Sequence, residues 1–199
     1  MWCENKLLVI GDTLAIEHFR RQNRGVIHPV GSAPIPVPLL FGALLPRPPV
    51  LDVEENEGAL NVYQALYGDW KQAAASMNLR NSFQDREALV QHLKETHANL
   101  VELAERYRRN EETTGFRNWY EWNLEHFGTK WDLGPDTTGG YFGPGCYVYT
   151  FRTWEHPPLP WFELLVGAYR MVVLKLRYLR PQEGADWEEL GSVELARAG

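Results

Sequence analysis

Cys146-Tyr147-Val148-Tyr149-Thr150-Phe151-Arg152-Thr153 alternates along its length, with Tyr147, Tyr149 and Phe151 on one side and Cys146, Val148 and Thr150 on the other. A period of two marks a strand half-buried in a sheet. Upstream, a short strand is expected at Trp131-Asp132-Leu133. The Gly/Pro-rich loop from Gly134 to Gly145 then forms a long hairpin connection. Downstream, His156-Pro157-Pro158 breaks the strand and a helix is expected from about Leu159 to Tyr169. Met171 to Leu179 alternates again, setting Val172, Leu174, Leu176 and Tyr178 against Val173, Lys175, Arg177 and Leu179. At the other end of the chain, Lys6-Leu7-Leu8-Val9-Ile10 is an apolar run closed by Gly11. Asp12 then caps a helix from Thr13 to about Arg24, which Gly25 stops. A last weak strand is expected near Gly191 to Ala196.

The middle of the chain reads differently. Val26 to Val53 is Pro-rich and predicts extended coil, with at most a short edge strand near Leu39-Leu40-Phe41. Tyr63, Leu66, Trp70, Ala73 and Met77 lie on one helical face. Ser82 and Asp85 resemble a capping box opening a long helix to about Arg109, with Leu89, Leu93, Thr96, Leu100, Leu103 and Tyr107 inward. A further helix, Asn118 to Phe127, is aromatic around most of its circumference and ends at Gly128. Setting residues 25–128 aside leaves βαββαβ, the split βαβ of the ferredoxin-like fold. The expectation is one α+β domain over residues 1–199, a ferredoxin-like antiparallel sheet with helices, carrying a large, mostly helical insertion at about 25–128.

Composition bounds the function. The chain has 199 residues, 20 Lys and Arg against 26 Asp and Glu, and a net charge of −6, so bulk charge does not favour phosphate backbones. Hydrophobic residues at 44% suffice for a core and exclude general disorder. Cys3 and Cys146 are too far apart for a disulfide framework or a paired metal knuckle, which suits a reducing compartment. No signal-peptide pattern opens the chain, and no apolar run approaches the roughly 18 residues of a membrane span. The expected setting is the cytoplasm, without a membrane. Oligomeric state is not legible.

Glu125-His126-Phe127-Gly128-Thr129-Lys130-Trp131-Asp132 resembles the recurrent Glu-Asn-Trp-Gly-Thr-Lys-Trp-Asp segment of the YubB-type ferredoxin-like family, departing at His126 and Phe127. Trp2-Cys3-Glu4-Asn5 with Val9-Ile10-Gly11-Asp12 resembles that family's start. Leu44-Leu45-Pro46-Arg47-Pro48 is similar to its Leu/Ile-Pro-x-Pro element. Thr153-Trp154-Glu155-His156-Pro157-Pro158 is similar to its Thr-x-Trp-x-x-Pro-Pro element, one residue shorter. The family is carried by plasmids and phages. The resemblance therefore implies a fold and an accessory role of a mobile element toward its host, with no reaction attached.

Three constellations compete for the site. In the family segment Gly128, Thr129, Lys130, Trp131 and Asp132, either Lys130 and Asp132 form a charged pair at a strand end, or Gly128 ends the helix while Trp131 anchors a corner. On the sheet, Tyr147, Tyr149 and Phe151 could share an open face with Lys175 and Arg177, the ring-and-cation arrangement on which RNA-recognition motifs stack bases. A pocket between insertion and sheet, lined by Trp119, Trp122, Lys130 and Asp132, would suit a small molecule or an enzyme.

Other chemistries find no footing. His92 and His97 lie about 140° apart around a helix and cannot share a ligand face. No serine sits in a nucleophile elbow, and the Gly134–Gly145 loop has no basic residue for phosphate. No metal and no cofactor is called for. The leading expectation is a non-enzymatic accessory protein of a phage or plasmid that binds a host or defence macromolecule, a protein before a nucleic acid. Its expected contact surfaces are the inserted helices and the Gly134–Gly145 loop. The alternatives are a single-stranded nucleic-acid binder and the pocket reading.

Overall fold

Nine residues of unbroken alternation, Trp2–Ile10, make β1 the centre of a sheet, with Cys3, Asn5, Leu7 and Val9 buried on one face. The computed structural model describes residues 1–79, 82–179 and 187–191. After β1 come α1 (Thr13–Asn23), capped by Asp12, the short strands β2 (Gly25–Ile27) and β3 (Ile35–Val37), and α2 (Phe41–Leu44). Next are α3 (Glu57–Tyr67), α4 (Trp70–Ser76), α5 (Arg86–Thr96), α6 (Ala98–Thr114) and α7 (Trp119–Phe127). The chain closes with β4 (Thr138–Tyr141), β5 (Cys146–Trp154), α8 (Leu159–Ala168), β6 (Val173–Leu179) and β7 (Glu188–Gly191). No helix among the described residues is long and apolar enough to cross a membrane.

The fold is α+β, and its five-stranded sheet runs β4-β5-β1-β6-β7 with every neighbouring pair antiparallel. Register fixes the faces, because residues opposite one another across strands share a face. Leu7 stands opposite Tyr149 and Leu176, and Val9 opposite Tyr147 and Leu174, all buried. Phe19 of α1 lies 6.1 Å from the Tyr149 ring on this face, and Trp161, Phe162 and Leu165 of α8 are buried as well. Phe41 joins the same core, its ring 4.5 Å from Trp161 and 6.0 Å from Phe151. Each such fully buried side chain contributes about 2 kcal/mol of hydrophobic free energy.

Contacts divide the chain into two compact units, residues 1–47 with 123–199, and residues 48–122. The first holds the sheet. The helical unit spans less of the chain than the insertion expected at about 25–128, because β2, β3 and α2 belong to the sheet unit. The second has its own core, in which Val62, Ala73, Leu89, Leu93, Ala104 and Tyr107 are buried together.

Several expected elements change. The helix over Tyr63–Met77 is two helices, since Gly68 ends α3 and the Asp69 carboxylate caps α4. The long helix to Arg109 breaks at His97, and Asp85 itself caps α5 by accepting from the Ala88 N–H. The strand expected at Trp131–Leu133 is an irregular bend, while β4 forms inside the glycine loop. Gly139 makes that possible, since a Cβ there would lie 2.7 Å from the Tyr147 hydroxyl. In the Pro-rich segment β2 and β3 pair as a ribbon, and Phe41 starts a helix rather than a strand. The last strand is β7, and the residues of Gly191–Ala196 beyond Gly191 lie outside the described residues.

Candidate functional site

The expected ring-and-cation face does not exist as read. Tyr147, Tyr149 and Phe151 point into the helix-covered face and are buried, and burial pushes the Tyr149 hydroxyl well above the ordinary tyrosine range. Lys175 and Arg177 stand opposite Leu8 and Lys6, on the other face. The correction is one of register: the alternation within each strand was legible, but which parity of β5 matches which parity of β6 is set by their common neighbour β1. On this open face Glu189 binds both Lys175 and Arg177, and these hydrogen bonds hold its carboxyl below the usual range. Lys6 lies 4.7 Å from the centroid of the Trp187 ring.

Lys130 and Asp132 take separate duties. The Asp132 carboxylate accepts from the backbone N–H groups of Phe41 at 2.7 Å, Gly42 at 2.9 Å and Leu133 at 2.7 Å, so it caps α2. Burial raises the Asp132 carboxyl above the usual aspartate range, while those donors and the nearby Arg47 charge pull it down. The Lys130 ammonium sits 5.4 Å from the Trp131 ring centroid. Trp119 and Trp122 of the pocket reading belong to the helical unit, and Lys130 and Asp132 to the sheet unit.

Of the segments quoted for the family resemblance, Trp2–Asn5, Gly128–Asp132 and Thr153–Trp154 meet at one end of the sheet, while Val9–Asp12 lies at the other. Gly128 ends α7 with φ +75° and passes so close to α8 that a Cβ would stand 2.6 Å from Pro160 Cδ. That turn delivers Thr129 to β5, where its hydroxyl donates to the Trp154 carbonyl at 3.2 Å and accepts from the Trp154 N–H at 3.1 Å. Asn5 is buried and its amide donates to the Thr153 hydroxyl at 2.9 Å and to the Cys3 carbonyl at 3.1 Å. Asn123 fastens the corner from α7, donating to the Lys130 carbonyl and accepting from Arg47.

These bonds bring three tryptophans together. Trp2 is opposite Trp154 in register, and Trp131 lies beside both. Ring centroids are 5.3 Å apart for Trp2–Trp154, 5.5 Å for Trp131–Trp154 and 6.0 Å for Trp2–Trp131. Trp2 is 47% exposed and Trp131 43% exposed, so two of the chain's largest apolar side chains face solvent at a corner held by buried hydrogen bonds. Arg152 lies over Trp2 and forms an ion pair with Asp136 at 2.7 Å.

Trp2, Trp154 and Arg152 were missed as site residues. Their signal was the polar parity of β1 and β5, in which Trp2 precedes Glu4 and Lys6, and Trp154 follows Thr150 and Arg152. Among the described residues, no group of three or more His, Cys, Asp and Glu side chains is placed to hold a metal ion.

No family model and no curated protein matches the chain. Among solved structures it is similar to the crystal structure of a protein api92 from Yersinia pseudotuberculosis, carrying the family model DUF1281. The two share 10% sequence identity, with a TM-score of 0.45 over 96% of this chain and 94% of that one.

Proposed function

We propose that this chain is a YubB-type, ferredoxin-like accessory protein of a phage or plasmid. It acts in the host cytoplasm by binding a host or defence protein rather than by catalysis. The strand order β4-β5-β1-β6, with β1 antiparallel to both neighbours, supports the split βαβ reading. The observation that carries the function is the exposed Trp2/Trp131/Trp154 corner. Its rings come from three separate family-like segments, and a corner serving only the fold would bury them. Tryptophan and arginine together are the residues that dominate protein interfaces.

A protein suits this surface better than a nucleic acid. Arg152 is paired with Asp136, and Lys175 and Arg177 share Glu189, so three cations are held by two carboxylates and little positive charge is left for phosphates. Affinity capture from host lysate, with and without nuclease, tests the reading with wild type beside Trp131→Ala. The expected result is a stoichiometric protein that survives nuclease and whose affinity falls by about 30-fold or more in the variant, the size of a hot-spot truncation. Nucleic acid that is lost as salt rises, or capture indifferent to Trp131→Ala, would overturn it.

A further inference from the structure

The far end of the sheet from the tryptophan corner carries a second, independent feature. Arg20, Arg21 and Arg24 of α1 and its C-cap line a cavity of about 100 Å³ with Glu17, Pro38 and Tyr147. Tyr147 is buried and forms an apolar wall, with the Arg20 guanidinium 4.4 Å from its ring centroid. Glu17 is occupied from within: it forms an ion pair with Arg20 and accepts a 2.8 Å hydrogen bond from the Tyr141 hydroxyl. Arg21 and Arg24 are exposed, and among the described residues neither forms an ion pair, although the Arg21 charge acts on the Glu17 carboxylate through space. Arg21 donates only to the Glu17 carbonyl at 3.3 Å.

A cation near a helix C-terminus is favourable because the last carbonyls carry partial negative charge. That accounts for one arginine, not for three gathered around a concavity. The lining sums to three positive charges and one negative, a net of +2 on a chain whose total is −6. Guanidinium forks match the oxygens of a phosphoryl group in two parallel hydrogen bonds. The cavity is small and opens to solvent, so it suits a phosphoryl head whose ester group points outward.

We infer that this cavity is a binding site for a dianionic phosphate, free or as the terminal group of a monoester, held by Arg21 and Arg24 with Arg20 fixed against Tyr147. Calorimetric titration of the full chain at pH 7.5, at constant ionic strength, uses inorganic phosphate, phenyl phosphate and a single-stranded oligonucleotide. Saturable millimolar binding of either phosphate is expected, at least tenfold weaker in Arg24→Ala and in Arg21→Ala. Both side chains are exposed, so both variants should keep the wild-type unfolding midpoint. Binding of phenyl phosphate should also weaken as pH falls below about 6, where the second proton of a monoester returns. Inorganic phosphate binding as well as phenyl phosphate would assign the site to the free anion, and a clear preference for phenyl phosphate to a monoester. No saturable heat with either phosphate, binding unchanged in both variants, or binding of the oligonucleotide alone would overturn the assignment.

Discussion

At the scale of single residues, the segment from Gly128 to Asp132 has several jobs in five positions. Gly128 supplies a left-handed turn and a close approach to Pro160 that no side chain could share. Thr129 satisfies both backbone groups of Trp154, Asp132 caps α2, and Trp131 with Lys130 faces outward. The two readings held for this segment are thus distributed among its residues. Gly128→Ala combines a positive φ with a 2.6 Å clash and should cost about 2 kcal/mol or more, read as a lower urea midpoint at unchanged slope. A midpoint within experimental error of wild type would show that the turn is not needed. The glycine cap was legible in the sequence because it follows an apolar helix. Its approach to Pro160 was not, since 32 positions separate the two residues.

At the scale of elements, strands and caps were more legible than faces and breaks. Asp12, Asp69 and Asp85 each cap a helix, but only the first was expected to do so alone. A helical stripe such as Tyr63–Met77 runs through Gly68 without a visible interruption in its period. Face assignment failed because alternation states that two sets of residues are opposed, not which set faces the helices. Only pairing with β1 settles it. The edge strand β7 is tied to β6 by Glu189, whose carboxyl is held below its usual range by Lys175 and Arg177. A carboxyl lowered on folding stabilises above its unfolded value of about 4.3, and that contribution is lost as pH falls through the lowered value. Amide protection in β7 should therefore drop in acid, and Glu189→Gln should remove that pH dependence. Acid-insensitive exchange in wild type would contradict the role given to Glu189.

At the scale of the whole molecule, charge and surface divide unevenly. Residues 48–122 carry 8 Lys and Arg against 13 Asp and Glu, a net of −5, while the rest carries 12 against 13, a net of −1. The acidity that argued against anionic ligands thus belongs mostly to the helical unit, which a whole-chain sum hides. The sheet unit is close to neutral, with its exposed tryptophans at one end and its arginine cavity at the other. On the proposed function, Trp131 is displayed for a partner and is not needed for the fold. Comparing the unfolding free energies of wild type and Trp131→Ala in urea tests this most directly. The predicted loss is no more than about 1.5 kcal/mol, well short of the roughly 3–5 kcal/mol of a core tryptophan. A loss in that core range would contradict the account and make the corner a structural joint.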